Sequence, residues 1–219
     1  MSDMPRPAIV WFRNDLRLAD NPALLAAAAS NRPLIAVYVH DDENAGTWAR
    51  GAASLWWLHH SLKSLQNALA LKGGGLVLKS GRADAIIPTL AEATGAEAIY
   101  WNRVYEPWAI ARDTRVKAQL SDAGVEARSF KGGLIVEPWE VSTKQGAPYR
   151  VFTPFWKALK AGHAPAEPAP APASLSFAAR PPGDDLEDWA LLPTAPDWAG
   201  GLRDSWTAGE AAASATLGA

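Results

Sequence analysis

The stretch from residue 8 to residue 13 reads Ala-Ile-Val-Trp-Phe-Arg, a short apolar run that ends at a charge. Such a run is typical of a strand that is buried on both faces of a parallel sheet. A loop follows, and Asp20 or Asn21 can cap the next helix, with Pro22 in its first turn, where the missing N–H costs nothing. The beginning of the chain therefore predicts a strand, a loop and a helix in close succession.

The same succession repeats along the chain. Between Gly51 and Lys72, leucines recur at alternating spacings of three and four and form one face of a long helix. Further strands are predicted at residues 34–40, 76–78, 98–101 and 125–130, and further helices at 82–94, capped by Asp84, and at 108–123. Alternation of this kind implies right-handed crossovers and helices on both faces of a parallel sheet. We therefore expect an α/β fold, a doubly wound, five-stranded, Rossmann-like parallel sheet, over residues 5–131.

The regular pattern fades after residue 133. Residues 164–173 read Ala-Pro-Ala-Glu-Pro-Ala-Pro-Ala-Pro-Ala, which predicts an extended, semi-rigid connector. We expect residues 132–205 to be an interdomain linker. We expect the alanine-rich residues 206–219 to be the first turns of a truncated helical domain, with nothing to pack against.

Composition narrows the class of protein. The chain of 219 residues is 48% hydrophobic and can bury one good core. It contains no cysteine, which excludes disulfides and thiolate metal sites. No apolar stretch is long enough to span a bilayer, so we expect a cytoplasmic monomer without a membrane partner. The formal net charge of -2 excludes a surface that grips phosphates throughout, so any contact with DNA is local or made by other residues.

The ligand site of a doubly wound sheet lies beyond the carboxyl ends of its strands, and here residues 11–15 occupy that place. No glycine-rich dinucleotide loop or phosphate loop follows the first strand. The four histidines are scattered, which predicts no metal site, and no nucleophile elbow or acid/base pair predicts a catalytic residue. The residues alone indicate an α/β domain that can bind a small molecule, followed by a linker.

Three stretches resemble the photolyase/cryptochrome family. Residues 9–24, Ile-Val-Trp-Phe-Arg-Asn-Asp-Leu-Arg-Leu-Ala-Asp-Asn-Pro-Ala-Leu, resemble the family's opening W-F-R-x-D-L-R-x-x-D-N-x-A-L. Residues 100–107, with Arg112 and Asp113, also agree, and residues 149–156 resemble the segment that closes the family's α/β domain. The resemblance covers residues 8–160 and is most like bacterial class I enzymes for cyclobutane pyrimidine dimers.

The resemblance implies a light-driven DNA repair lyase, of which this chain is the light-harvesting part. In the family this domain holds an antenna chromophore, and a following helical domain binds FAD, which donates an electron to the dimer flipped out of damaged DNA. The FAD-binding helical domain is absent from these residues, so we expect the chain to bind at most the antenna and to repair nothing alone. A cryptochrome photoreceptor shares this domain and is the alternative. A third reading is a stand-alone nucleotide-type binding module.

The candidate chromophore residues lie at the ends of predicted strands and at one helix start. Arg13 ends the first strand, and its guanidinium can donate to a ring carbonyl or carboxylate, whereas Asp15, Arg17 and Asp20 are favoured as an ion network that fixes the loop. The other candidates are Val39, His40, Arg50, Trp101, Asn102 and Glu106. A polar rim beside aromatic faces suits a flat heteroaromatic ligand, although packing is the commoner role of a tryptophan such as Trp101.

One departure from the family bears on the antenna. Folate-binding members have an Asn-Glu pair where this chain has Trp108 and Ala109. Folate is therefore not expected through those contacts, which leaves a deazaflavin, methenyltetrahydrofolate held differently, or an empty pocket.

Overall fold

The computed structural model describes residues 5–218. The five strands are β1 Ala8–Phe12, β2 Leu34–His40, β3 Leu76–Ser80, β4 Ala98–Asn102 and β5 Glu126–Phe130. The helices are α1 Pro22–Ala29, α2 Ala52–Leu71, α3 Ala83–Thr94, α4 Pro107–Asp122, α5 Phe152–Gly162, α6 Gly200–Ser205 and α7 Glu210–Leu217. Short 3-10 turns lie at Gly46–Trp48 and Glu187–Trp189.

All five strands form one parallel sheet in the order β3-β2-β1-β4-β5. Ala8 of β1 lies opposite Leu34 of β2 on one side and opposite Ala98 of β4 on the other. The strand order reverses between β1 and β4, which is where a doubly wound sheet opens a crevice at its carboxyl edge. The predicted α/β class, strand number and doubly wound topology are confirmed.

The central strand β1 is buried along its whole length, which explains its unbroken apolar sequence. Ala8, Val10 and Phe12 pack into the core on one face of the sheet. Ile9 and Trp11 pack into the core on the other face. The two-residue period of the strand thus divides the protein into two hydrophobic layers.

Local sequence signals explain the helix starts in part. Asn21 caps α1, where its side chain accepts a hydrogen bond from the backbone N–H of Leu24, and Pro22 opens the helix. The predicted cap of α3 is wrong, because Arg82 occupies the N-cap position without a side-chain bond. Asp84 lies in the first turn instead and accepts hydrogen bonds from Arg82, Arg115 and Asn44.

The return segment, residues 169–191, runs back along the α/β domain. The backbone N–H of Asp20 donates to the carbonyl of Ala169 at 2.7 Å. Ser176 and Ala178 form backbone hydrogen bonds with Leu34, and Leu186 and Leu191 join the core under α2. This part of the predicted linker is extended, as its prolines require, but it is packed on the domain rather than suspended. The predicted boundary at residue 131 stays a prediction.

The last helix also has a packing partner, contrary to our expectation for residues 206–219. The carboxylate of Glu210 accepts hydrogen bonds from the backbone N–H groups of Leu18 at 2.7 Å and Ala19 at 2.8 Å. Ala219, the end of that predicted segment, lies outside the described residues. Across residues 5–218, no helix is both long and apolar enough to cross a bilayer.

Candidate functional site

A cavity of about 190 Å³ lies at the carboxyl edge of the sheet and is referred to here as the strand-end cavity. Its walls come from the ends of β1 and β2, the loop after β2, and the loop from β4 into α4. This is the edge where parallel α/β folds bind ligands. Topology therefore brings together residues that are far apart in the chain, as in Arg13, which lines the cavity, and Asp113, its ion-pair partner 100 positions later.

Aromatic rings and guanidinium groups form the floor of the cavity. The Arg112 guanidinium lies 4.8 Å from the ring centre of Trp11 and 5.0 Å from that of Trp108. The Arg13 guanidinium lies 4.9 Å from the same Trp11 ring. Cations at these distances are attracted to aromatic faces, so the floor is a preordered stack rather than a set of loose side chains.

A buried ion pair fixes Arg13. Its Nη1 donates to the carboxylate of Asp113 at 2.6 Å, and the Nε1–H of Trp101 donates to the same carboxylate oxygen at 3.0 Å. Arg112 donates to the other oxygen of Asp113 through Nε and Nη2. Burial lowers the pKa of Arg13, and Asp113 opposes that shift. Asp113 thus anchors both guanidinium groups of the floor.

Several buried donors of the cavity lining have no hydrogen-bond partner within the described residues. They are Nε and Nη2 of Arg13, the hydroxyl of Tyr38 and the indole N–H of Trp11. Burial raises the pKa of Tyr38 to about 12, against the opposing charge of Arg50, so the phenol stays protonated. Buried donors without partners are costly, and a ligand with carbonyl or carboxylate oxygens would satisfy them.

Four of the seven predicted residues line this cavity. Arg13 and Val39 are buried in its wall, and the half-buried Arg50 and the exposed Glu106 also line it. Arg50 is held there by a hydrogen bond from Nη2 to the side-chain oxygen of Asn14 at 2.8 Å. Arg13, Arg50 and Glu106 thus place two positive charges and one negative charge around the cavity.

The other three predicted residues point elsewhere. Trp101 is fully buried in the core beside Trp11, with ring centres 5.8 Å apart, so its packing role is the one observed. His40 lies against Trp189 of the return segment and 3.5 Å from the carboxylate of Asp42. Burial lowers the pKa of His40, with Asp42 opposing. Neither side chain lines the cavity.

Asn102 has a structural role at the end of β4, where the strand order reverses. Its side-chain amide donates to Asp15 at 2.5 Å and to Asn21 at 2.8 Å, and its oxygen accepts from the backbone N–H of Ala23. These bonds tie the end of β4 to the loop after β1 and the start of α1. Asn102 therefore shapes the crevice without facing the strand-end cavity.

The expected loop network is only partly as predicted. Asp15 accepts hydrogen bonds from the backbone N–H of Arg13 and from the amides of Asn21 and Asn102. Arg17 donates to the backbone carbonyls of Asp20 and Gly132 rather than to carboxylates. The loop is thus fixed by amide and carbonyl contacts rather than by ion pairs among these charged side chains.

The chain is similar to proteins of one known family. Residues 8–173 match the family model described as DNA photolyase. The chain belongs to the DNA photolyase family. The family resemblance in the sequence is thereby confirmed.

The chain resembles longer relatives over almost its whole length. A deoxyribodipyrimidine photo-lyase from Agrobacterium fabrum is 48% identical over 214 residues, which are 97% of this chain and 44% of that relative. A crystal structure of a bacterial class III photolyase from Agrobacterium tumefaciens matches with a TM-score of 0.92 and 46% identity, covering 99% of this chain and 45% of that one. Cryptochrome-1 from Arabidopsis thaliana is 41% identical over 151 residues, 68% of this chain and 22% of its own. The chain spans less than half the length of these relatives.

The predicted assignment to class I is not supported, because this similar structure is that of a class III enzyme. The motif at residues 9–24 resembles photolyases and cryptochromes alike, so it indicates the family but does not distinguish class I from class III.

The sequence did not indicate every residue of the candidate site. Trp11 lies in the stretch 11–15 where a ligand was expected, but Tyr38 and Arg112, which also line the cavity, and Asp113, which holds Arg13 in place, were not among the candidates. Arg112 and Asp113 were in a stretch that resembles the family, but nothing in the sequence indicated that a carboxylate in α4 would reach β1. Trp108, at the position of the family departure, also lines the cavity.

A second, larger groove of about 780 Å³ adjoins the strand-end cavity in the photolyase domain. It lies between the loop after β1, α2 and α7, and Arg13 and Arg50 border both spaces. Glu210 closes one side of it through the contacts with Leu18 and Ala19. Among residues 5–218, no cluster of three or more His, Asp or Glu side chains is placed to hold a metal ion.

Proposed function

We propose that this chain is the antenna-binding part of a deoxyribodipyrimidine photo-lyase, an enzyme that uses light to repair cyclobutane pyrimidine dimers in DNA. The observation that carries the proposal is the strand-end cavity, whose aromatic floor and unpartnered donors suit a flat chromophore with oxygen acceptors. The name of the Agrobacterium fabrum relative, 48% identical, supports the repair activity.

The cavity is large enough for one ring system but not for a whole cofactor. Its volume of about 190 Å³ is below the range of about 300–1,000 Å³ that is usual for a drug-sized ligand. We infer that a small ring enters and that the remainder of the chromophore lies over the exposed rim. This favours the bicyclic ring of methenyltetrahydrofolate over the tricyclic ring of a deazaflavin. The folate is then held by Trp11 and Arg13. Trp108 and Ala109 do not replace the contacts that the Asn-Glu pair makes in folate-binding members of the family.

Each residue of the site has a role in this proposal. Trp11 supplies the apolar wall that excludes water from the ring, and Tyr38 donates a hydrogen bond from its protonated phenol. Arg13, held by Asp113, orients a ring carbonyl or carboxylate. When bound, the chromophore supplies absorption of near-ultraviolet or blue light for transfer to a catalytic flavin.

The wider assignments rest on the relatives. We place the chain in the class III branch, supported by the 46% identity and TM-score of 0.92 to the Agrobacterium tumefaciens structure. FAD and damaged DNA are proposed partners of a longer protein, with residues 132–205 as the linker and residues 206–219 as the start of its helical domain. A cytoplasmic, monomeric state remains a prediction.

A cryptochrome photoreceptor is the second candidate function. The 41% identity to Cryptochrome-1 from Arabidopsis thaliana over 151 residues favours it. Light-dependent repair separates the two functions.

The first test measures chromophore binding by the 219-residue chain. We expect the chain mixed with methenyltetrahydrofolate, or in parallel with a deazaflavin, to keep the chromophore's absorption band after gel filtration. Val104→Trp, which fills the cavity from its loop, should abolish retention, and Trp139→Ala, on an exposed residue outside the cavity, should not. Retention that survives Val104→Trp would contradict the proposed site.

The second test uses the longest protein that the gene encodes. Light-dependent repair of dimer-containing DNA would support the lyase. Bound flavin without repair would favour the cryptochrome. A colourless protein that is inactive in light would refute both.

A further inference from the structure

A cavity of about 400 Å³ on the outer face of α2, the basic aromatic cleft, is separate from the strand-end cavity. One wall is α2, with Trp56, His60 and Lys63, and the other is the segment around Arg203 and Trp206. No lining residue is shared with the strand-end cavity. The antenna proposal therefore does not account for it.

The charged groups that line the cleft are all basic. Lys63 and Arg203 reach it with side chains that are 55% and 46% exposed, and His60 lies between the helix and the cleft. The carboxylates that pair with them, Glu187 and Asp197, are not part of the lining. Exposed pairs of this kind contribute little, so a bound anion can compete for both cations at small cost.

The pKa of His60 supports a positive field in the cleft. Burial lowers that pKa first, and the positive charges of Lys63 and Arg203 lower it further, against Glu187. His60 is thus held neutral, with its Nε2 buried and without a partner in the described residues. A neutral imidazole can donate one hydrogen bond and accept another.

The cleft also offers aromatic surface and a buried donor. Trp206 is 59% exposed, so much of its ring is open to a stacking ligand, and the ring contacts that of Trp57 in an edge arrangement with centres 6.1 Å apart. Trp56 is only 2% exposed, yet it lines the cleft, and its indole N–H has no partner within residues 5–218. A buried indole N–H usually finds an acceptor, so this one indicates a ligand.

We propose that the basic aromatic cleft binds a planar heteroaromatic compound that carries a phosphate, of the mononucleotide class. The ring lies against Trp206, a ring acceptor meets the N–H of Trp56, and the phosphate lies at Lys63 and Arg203. Charge-assisted hydrogen bonds and stacking on an exposed tryptophan are the interactions that recognise such compounds.

Flavin mononucleotide is the probe, because stacking on tryptophan quenches its fluorescence. Riboflavin is the matched probe, since it has the same ring without the phosphate. Both probes are titrated with the 219-residue chain and with Val104→Trp, in which the strand-end cavity is filled. Binding that disappears in Val104→Trp belongs to the strand-end cavity, and binding that remains belongs to another site. The test of the cleft therefore holds even if the antenna proposal fails. We expect flavin mononucleotide to bind Val104→Trp as it binds the parent chain.

Single substitutions in the Val104→Trp chain then test the residues. Lys63→Gln and Arg203→Gln should each weaken binding of flavin mononucleotide about tenfold and leave riboflavin unchanged, because one charge-assisted bond is lost. Trp206→Ala should weaken both probes about tenfold. Lys144→Gln and Trp139→Ala, which alter an exposed lysine and an exposed tryptophan outside the cleft, should change neither.

Three results would overturn the proposal. The first is no quenching of flavin mononucleotide by the Val104→Trp chain. The second is an equal effect of Lys63→Gln on both probes, which would remove the role of the phosphate. The third is displacement by a short single-stranded oligonucleotide at concentrations where AMP displaces nothing, which would make the cleft a nucleic-acid surface.

Discussion

Replacing Asp113 by asparagine should destabilise the whole α/β domain. The Asp113 carboxylate is 12% exposed and pairs with Arg13, whose side chain is 6% exposed. It also accepts from Trp101 and from Arg112. Asparagine keeps the shape and one oxygen but removes the charge, and the Arg13 guanidinium would remain buried without a counter-ion.

The size of the effect follows from the burial of the pair. Removing one partner of a buried ion pair costs about 3–5 kcal/mol. Arg112 keeps a second carboxylate, Asp41, at 3.5 Å, so only Arg13 loses its counter-ion and the lower end applies. We expect Asp113→Asn to lower the free energy of unfolding by about 3 kcal/mol, a large part of the roughly 5–15 kcal/mol that is usual for a folded domain.

Urea unfolding monitored by circular dichroism measures this difference, with the slope of the transition checked for constancy. Asp122→Asn is the matched control, because Asp122 ends the same helix at an exposed position, and it should change stability by less than about 0.5 kcal/mol. A loss for Asp113→Asn of under about 1 kcal/mol would refute the claim that this carboxylate holds the cavity floor together.

A double-mutant cycle isolates the pair itself. Arg13→Met leaves Asp113 with Arg112 and should cost about 1–3 kcal/mol. The double variant should cost less than the sum of the single variants by about 1–3 kcal/mol, because the second change removes a charge that the first left unpaired. Additive costs would contradict the direct pairing.

The remaining predictions concern a glycine, a helix start and the histidines. A Cβ at Gly132 would overlap the buried side chain of Asn102, so Gly132→Ala should lower the free energy of unfolding by about 1–3 kcal/mol, while Gly133→Ala, which meets no atom, should not. Burial alone would raise the pKa of Asp84, but hydrogen bonds from Asn44, Arg115 and Arg82 outweigh it and lower the pKa from 3.8 to about 2. Asp84→Asn should therefore cost about 2 kcal/mol at pH 7 in urea unfolding, and this cost should disappear as the pH falls from 3.8 through about 2. Burial lowers the pKa of His40 and His59, so the unfolded chain binds protons more readily, and thermal stability should fall as pH drops below 6.5. A stability that is flat from pH 7.5 to 5.5 would contradict this.

The fold was predictable because its signals are local and periodic. The apolar run of β1 and the leucine spacing of α2 each report burial directly, and the observed α2 is Ala52–Leu71. The cap of α3 was not predictable in the same way. Asp84 has the residue type of a cap, but its carboxylate accepts a hydrogen bond from Arg115 in another helix. The spacing of residues along the sequence does not reveal such tertiary partners.

The site was predictable in position and less so in detail. Strand ends predict where ligands bind, and Arg13, Val39 and Glu106 follow from that rule, whereas Arg50 was expected from its place at a helix start. The rule does not say which way a side chain turns, so Asn102 and His40 were expected in a cavity that they do not line. Their neighbours decided the outcome, because Asn21 and Trp189 come from loops whose path depends on the assembled fold.

The return segment helps to keep the sheet from pairing edge to edge with a second molecule. A parallel sheet has two outer strands with unpaired backbone groups, which invite pairing with another molecule. At β3, the backbone N–H of Asp184 donates to the carbonyl of Leu78 at 2.8 Å, so the chain itself occupies part of that edge. At β5, the opposite charges of Glu126 and Arg128 are exposed to solvent instead. One edge is shielded by a covering segment and the other by charge, and deletion of residues 169–191 would unmask the first as a template for aggregation.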